Sequence, residues 1–189
     1  MGQGTRNRIT EKFIIDEFAI TIAINLNLFE TKTKSFDYNE YDNFLGVGNP
    51  VFNKEKNLVD KSPKMERKNL LKNVFRSDEL ANIETLKLLE DLPETERELI
   101  NISKNFAADK SKLLLTNEAT ETNIKSLDLM KYDIISFATH TLPADKNSKN
   151  SEPGLVFSLP SQPSVNDDGI LTPGEIALLN LNAKIVILS

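Results

Sequence analysis

Short apolar runs alternate with helically spaced stretches along most of this chain. Phe18-Ala19-Ile20-Thr21-Ile22-Ala23 has the β-branched content of a strand, and Asn25 to Glu40 mixes helical and loop signals. Asn43 to Pro50 predicts a second strand, stopped by two glycines and a proline. Asn53 to Lys72 is lysine-rich and polar, the composition of a solvated loop feeding a surface helix. Leu80, Ile83, Leu86 and Leu89 recur every third residue, as on an amphipathic helix over Glu79 to Leu89. Thr95-x-x-Glu98 has the form of a capping box, and Leu99, Ile102 and Phe106 continue a helix from it. Lys112 to Leu115 predicts a short strand, and Thr116 or Asn117 a cap for a helix from Ala119 to Leu127.

The strand signal is clearest in Tyr132 to His140, an apolar, β-branched and aromatic run that ends in the only histidine of the sequence. Open α/β sheets place ligands and chemistry at the carboxyl ends of their strands, which makes His140 a candidate functional residue. A lone histidine there also fits a purely structural cap. Leu142 to Pro153 reads as an exposed loop, and Gly154 to Leu159 as another strand. Asp167-Asp168-Gly169 makes a turn. Thr172-Pro173-Gly174-Glu175 then combines an N-cap threonine, proline at the first helical position and glutamate three on, opening a brief helix from Ile176 to Leu181. Ala183 to Ser189 predicts a buried strand. Strands alternating with helices imply parallel pairing and a layered α/β sandwich.

A chain of 189 residues suits one domain with its own core, with the polar stretch Met1 to Lys12 disordered. The net charge of −5 argues against a nucleic-acid binder, which needs a basic face. The absence of cysteine excludes disulfides, thiolate metal sites and a thiol nucleophile within these residues. Phe13 to Phe29 is broken by Asp16, Glu17, Asn25 and Asn27, so neither a membrane span nor a signal peptide is expected. No membrane partner is expected, and a cytoplasmic location is the default.

Two motifs mimic ligand sites. Gly46-Val47-Gly48 suggests a phosphate loop but lacks the third glycine and the helix start that a nucleotide fingerprint needs. Ser164-x-Asn166-x-Asp168-Gly169, with Glu175 six residues on, has the spacing of a calcium loop. Its first position is serine instead of a carboxylate, and Pro160 and Pro163 stand where the incoming helix belongs. Glu175 is explained by the capping box, so no metal or other cofactor is expected.

The order of elements resembles the CHAT domain, a caspase-like cysteine protease domain often joined to TPR repeats. The resemblance rests on Phe44-Leu45-Gly46-Val47-Gly48-Asn49-Pro50-Val51-Phe52, Leu92-Pro93-x-Thr95-x-x-Glu98, Glu118-Ala119-Thr120 and Phe137-Ala138-Thr139-His140. It extends to Asp168-Gly169-x-Leu171-Thr172-Pro173-x-Glu175-Ile176 and Ile185-Val186-Ile187-Leu188-Ser189. It implies a three-layer α/β/α caspase-like sandwich with a mostly parallel sheet. One domain would span residues 1–189, incomplete at both ends and short of a leading strand before Phe13. It further implies that His140 is the catalytic histidine of a His/Cys dyad and that the backbone N–H of Thr141 helps form the oxyanion hole. The family usually has glycine at that second position, and the threonine side chain would crowd an approaching carbonyl. The family's cysteine lies in a Leu-Ser-Ala-Cys sequence, two residues beyond the position of Ser189. Ser189 is a poor substitute, because an alcohol needs stronger activation than a thiol.

The implied parent is a cysteine endopeptidase acting on a protein or peptide substrate, with a TPR region of the same parent as a further partner. The alternatives are a non-catalytic relative serving as an interaction module, which Thr141 favours, a calcium-binding regulatory domain, and an unrelated flavodoxin-like domain. The 189 residues alone are expected to be inactive. They are also expected to aggregate or form a loose state, because the last apolar strand would expose a sheet edge. A sharp, cooperative thermal transition from a purified monomer of these residues would contradict that expectation.

Overall fold

The computed structural model describes residues 41–52, 83–143 and 152–189. The expectations for Met1–Lys12, the missing leading strand, the Phe18–Ala23 strand, Asn25–Glu40 and Asn53–Lys72 lie outside the described residues. Among the described residues, four parallel strands form the main sheet: β1 (Phe44–Gly48), β2 (Ser111–Leu115), β3 (Ile134–Ala138) and β7 (Ile185–Leu188), in the order β2-β1-β3-β7. Between them in sequence lie helices α1 (Ile83–Leu86), α2 (Pro93–Ser103), α3 (Glu121–Ser126) and α4 (Pro173–Ile176). From β1 the chain crosses to β2 through α2, then returns past β1 to β3 through α3. The direction of travel reverses, so right-handed crossovers put the two helices on opposite faces. This is a three-layer α/β/α sandwich of the caspase-like kind, with its switch point between β1 and β3.

Each face has its own core. On one, Leu99, Ile102 and Phe106 cover Phe44, Leu113, Ile134 and Ala138, with the Phe44 and Phe106 rings stacked at 5.2 Å. On the other, Leu45, Val47, Leu114, Ile135 and Phe137 pack under Ile124, Phe157 and Leu171. Helix α2 lies close because β1 is bare where they meet. A Cβ on Gly46 would stand 3.1 Å from Leu99 Cδ2, and one on Gly48 would stand 2.6 Å from Leu99 Cδ1. The two glycines that suggested a phosphate loop are thus a packing groove for a leucine.

The second sheet differs from expectation. Gly154 to Leu159 does not join the parallel sheet: β5 (Gly154–Val156) pairs antiparallel with β4 (Thr141–Leu142) and with β6 (Ile170–Leu171). Leu142, expected in an exposed loop, is buried there. With Phe52, Leu86, Leu89, Val156, Leu159 and Ile170 it forms a satellite core.

Several boundaries also move. Helix α2 starts at Pro93, whose fixed φ suits a first helical position, so Thr95 sits inside the first turn and caps nothing. The stretch expected to be helical from Glu79 to Leu89 is helical over Ile83–Leu86 within the described residues. Thr116 opens a 3₁₀ turn, and Thr120 caps α3, its hydroxyl accepting from the Asn123 N–H. The Thr172/Glu175 capping box is present in full, but α4 closes at Ile176 instead of running on to Leu181. Strand β7 is not buried as expected: among the described residues it is the last strand of the sheet order, with Val186 48% and Leu188 60% exposed on one face.

At the amino edge, Asp133 gathers three strand starts. Its carboxylate accepts from the N–H groups of Asp42 and Asn43 ahead of β1 at 3.0 and 3.1 Å. Its carbonyl accepts from Lys184 and Ile185 at the start of β7. Against slight burial, these N–H donors and Lys184 hold the Asp133 carboxyl below the usual carboxylate range.

A second polar centre fastens the outer layer. Glu121, nearly inaccessible, accepts from the N–H groups of Asp168 and Gly169, both at 3.1 Å, and pairs with Lys125. Lys125 also reaches Glu175 Oε1 at 2.7 Å and the Asn166 carbonyl at 2.9 Å. Glu175 meanwhile accepts from the Thr172 N–H and hydroxyl. This use of Glu175 is not that of a calcium loop, and among the described residues no cluster of acidic or histidine side chains could hold a metal. Burial, reinforced by Glu175 across the shared ammonium, pushes the Glu121 carboxyl up to about 7. Against its own burial, Glu175 is held low by Lys125 and Thr172.

Two predictions come from these contacts. In the full-length protein, Gly48→Ala should cost about 1–3 kcal/mol of stability by urea unfolding, because Leu99 and the Ala138 carbonyl leave no room for the methyl. Gly174→Ala, whose Cβ would meet nothing nearer than 3.9 Å, is the neutral control. The raised Glu121 carboxyl favours the folded state fully below the unfolded value of 4.5 and loses that contribution as pH rises through about 7. Stability should therefore fall between about pH 5 and 7, by at most about 1.4 kcal/mol per pH unit. The lowered Asp133 and Glu175 act below that window. Glu121→Gln should flatten the slope, and a slope unchanged in that variant would refute the assignment.

Candidate functional site

The carboxyl edge of the sheet is built from the residues just past β1, β3 and β7. Beyond β3, Thr139 is buried: its N–H donates to the Ser189 carbonyl at 3.2 Å and its hydroxyl to the Val156 carbonyl. The Ser189 N–H returns a bond to the Phe137 carbonyl at 3.1 Å. The ladder between β3 and β7 therefore extends past both strands and sets Ser189 beside Thr139, one residue before His140.

His140 is half-buried, and its ring has two defined neighbours. Nε2 lies 2.8 Å from the Glu90 carbonyl oxygen. A carbonyl only accepts, so Nε2 carries the hydrogen and Nδ1 keeps its lone pair in the neutral ring. The Phe52 ring lies against the imidazole, centroids 5.5 Å apart and planes tilted by 39°. Thr141 begins β4 and is exposed. It stands opposite Leu155, and the Val156 N–H donates to the His140 carbonyl at 2.9 Å. Thr141 and Leu155 therefore form a non-hydrogen-bonded pair, and the Thr141 N–H points away from β5. The chain thus presents an oriented imidazole with an available base nitrogen, next to an N–H that the ladder does not use.

The loops behind this edge are held by side chains that reach across it. Asn49, just past β1, adopts φ +47°. Its N–H donates to Thr95 Oγ1 at 2.9 Å and its amide to Glu96 Oε2 at 2.7 Å. Thr95 thus tethers the end of β1 to α2. Buried Ser158 accepts from the Val51 N–H at 2.8 Å and donates to the Thr116 carbonyl at 2.6 Å. Thr116, just past β2, has φ +50°, a conformation that costs a β-branched residue about 1–3 kcal/mol and persists only where neighbours fix it.

His140 and Thr141, the two residues singled out from the sequence, meet at this edge, with Ser189 beside them. Glu90 and Phe52 were not assigned roles from the sequence. A backbone carbonyl leaves no residue-type signature, and Phe52 looked like the tail of an apolar block. The nearest hint was the apolar pair Leu86 and Leu89 directly ahead of Glu90.

Among the described residues no helix is long and apolar enough to cross a membrane. No curated protein and no solved structure matches the chain. The family model of the CHAT domain matches it over residues 2–189. The chain belongs to the CHAT domain family, whose caspase-like architecture is the one its sheet displays.

Proposed function

We propose that this chain carries the histidine half of a cysteine endopeptidase site and that its parent protein hydrolyses peptide bonds in a protein or peptide substrate. One observation carries the reading: the His140 imidazole is oriented by the Glu90 carbonyl at 2.8 Å, which leaves Nδ1 as the base.

The family pattern puts the nucleophile two residues beyond the position of Ser189, on a strand already paired with that of His140. In the reaction, Nδ1 takes the thiol proton and the thiolate attacks the peptide carbonyl carbon. The oxyanion that forms accepts from the Thr141 N–H. The imidazolium then gives its proton to the leaving amine as the C–N bond breaks, and water hydrolyses the thioester with His140 again acting as base. Nothing in this sequence needs a cofactor. The parent's TPR region and a cytoplasmic setting belong to the same reading.

A second reading, a non-catalytic interaction module, is favoured by one feature: the exposed Thr141 side chain where the family usually has glycine. Thr141 has no positive φ, so glycine is not needed for the backbone here and only the space around the N–H differs. The two readings part on one variant. In the full-length protein, His140→Ala should lower peptide cleavage by about 10²–10⁴-fold or more while leaving the melting temperature nearly unchanged. Cleavage that survives intact in a folded variant would overturn the dyad, and a wild-type protein that binds partners and cleaves none would favour the module.

A further inference from the structure

The elements around His140 are fixed by a core separate from that of the main sheet. Phe52, Leu86, Leu89 and Leu142 belong to one buried cluster under β4, β5 and β6. Phe52 is 2% exposed, although it lies only four residues past β1, and its ring lies against the imidazole. Leu89 immediately precedes Glu90, whose carbonyl takes the Nε2–H. Leu142 immediately follows Thr141. One cluster therefore sets the wall of the imidazole, its acceptor and the N–H beside it.

A histidine ring turns easily about χ2, where the torsional wells are broad and nearly two-fold. A half-turn exchanges the positions of the ring's nitrogens and carbons. A single hydrogen bond to a carbonyl leaves part of that freedom, whereas a buried aromatic ring packed against the imidazole removes it. We propose that Phe52 is a positioning residue that holds the His140 ring on the Glu90 carbonyl and so keeps Nδ1 as the acceptor. The inference deepens the reading of His140 as a base and rests on it for its catalytic consequence. The ring state itself does not depend on that reading.

In the full-length protein labelled with nitrogen-15 in its histidine rings, the pair of NMR signals that belongs to His140 is the one that His140→Ala removes. With the ring neutral, the wild-type protein should show the Nε2–H form alone at His140. Phe52→Leu keeps an apolar side chain in the cluster but loses the ring wall. It should move both nitrogen signals toward their mean as the two tautomers mix, and Phe52→Ala should move them further. Circular dichroism melts show which variants are folded, and the leucine variant carries the test if the alanine one is not. Unmoved signals in folded Phe52→Leu, or signals already averaged in the wild type, overturn the proposal.

In the full-length protein the same leucine variant should lose about tenfold to a hundredfold in kcat with KM held, the signature of a misplaced base. If the wild type cleaves nothing while its imidazole is fixed and Phe52→Leu frees it, the positioning role stands and the endopeptidase reading fails.

Discussion

The side-by-side pairing of β1 and β3, with Gly48 opposite Ala138, is the constraint on which the rest of the molecule depends. It makes both strands end at one level, so the residues after β1 and those after β3 must share the same edge. Phe52 and His140 meet for that reason, although 88 positions of sequence separate them. Toward the carboxyl end, the face of this pairing under α2 is lined by small residues, Gly46 and Gly48 on β1 and Ser136 and Ala138 on β3. There Leu99 of α2 descends onto the glycines. Larger residues would lift the helix, and with it the Thr95 hydroxyl that fixes the end of β1.

Much of this was legible from residue pattern. The short apolar runs found the parallel strands, and the position of His140 at a strand's carboxyl end put it at the edge where such sheets place ligands and chemistry. The Thr172–Glu175 capping box was read correctly because every bond in it is local. The features that escaped depended on partners far along the chain. Gly154 to Leu159 has the composition of a core strand, and nothing within it says that it pairs antiparallel with Leu142 and Ile170. Thr95 fits a capping sequence, yet Pro93 starts the helix earlier and its hydroxyl serves Asn49 instead. Strand β7 reads as buried from its apolar content, while its place in the sheet order leaves one face open.

The site shows the same division. His140 could be named from sequence, but the Glu90 carbonyl and the Phe52 ring beside it could not. The Glu90 carbonyl is a backbone atom delivered by the packing of Leu86 and Leu89. The Thr141 N–H is left over from an antiparallel ladder whose register no local pattern encodes. The polar groups that meet the imidazole and stand beside it are main-chain ones, and the buried side chains act mainly by placing them.

Asp133 gives this arrangement a further property. One residue, through its carboxylate and its carbonyl, fixes the starts of β1, β3 and β7 at the amino edge. The registers of β1, β3 and β7 are thereby supported at the end of the sheet remote from His140 as well as at its carboxyl edge. The loops at the opposite edge are partly relieved of aligning the strands, so they can change in length or composition without sliding one strand past another. The molecule is anchored at one rim and left open to diversification at the other.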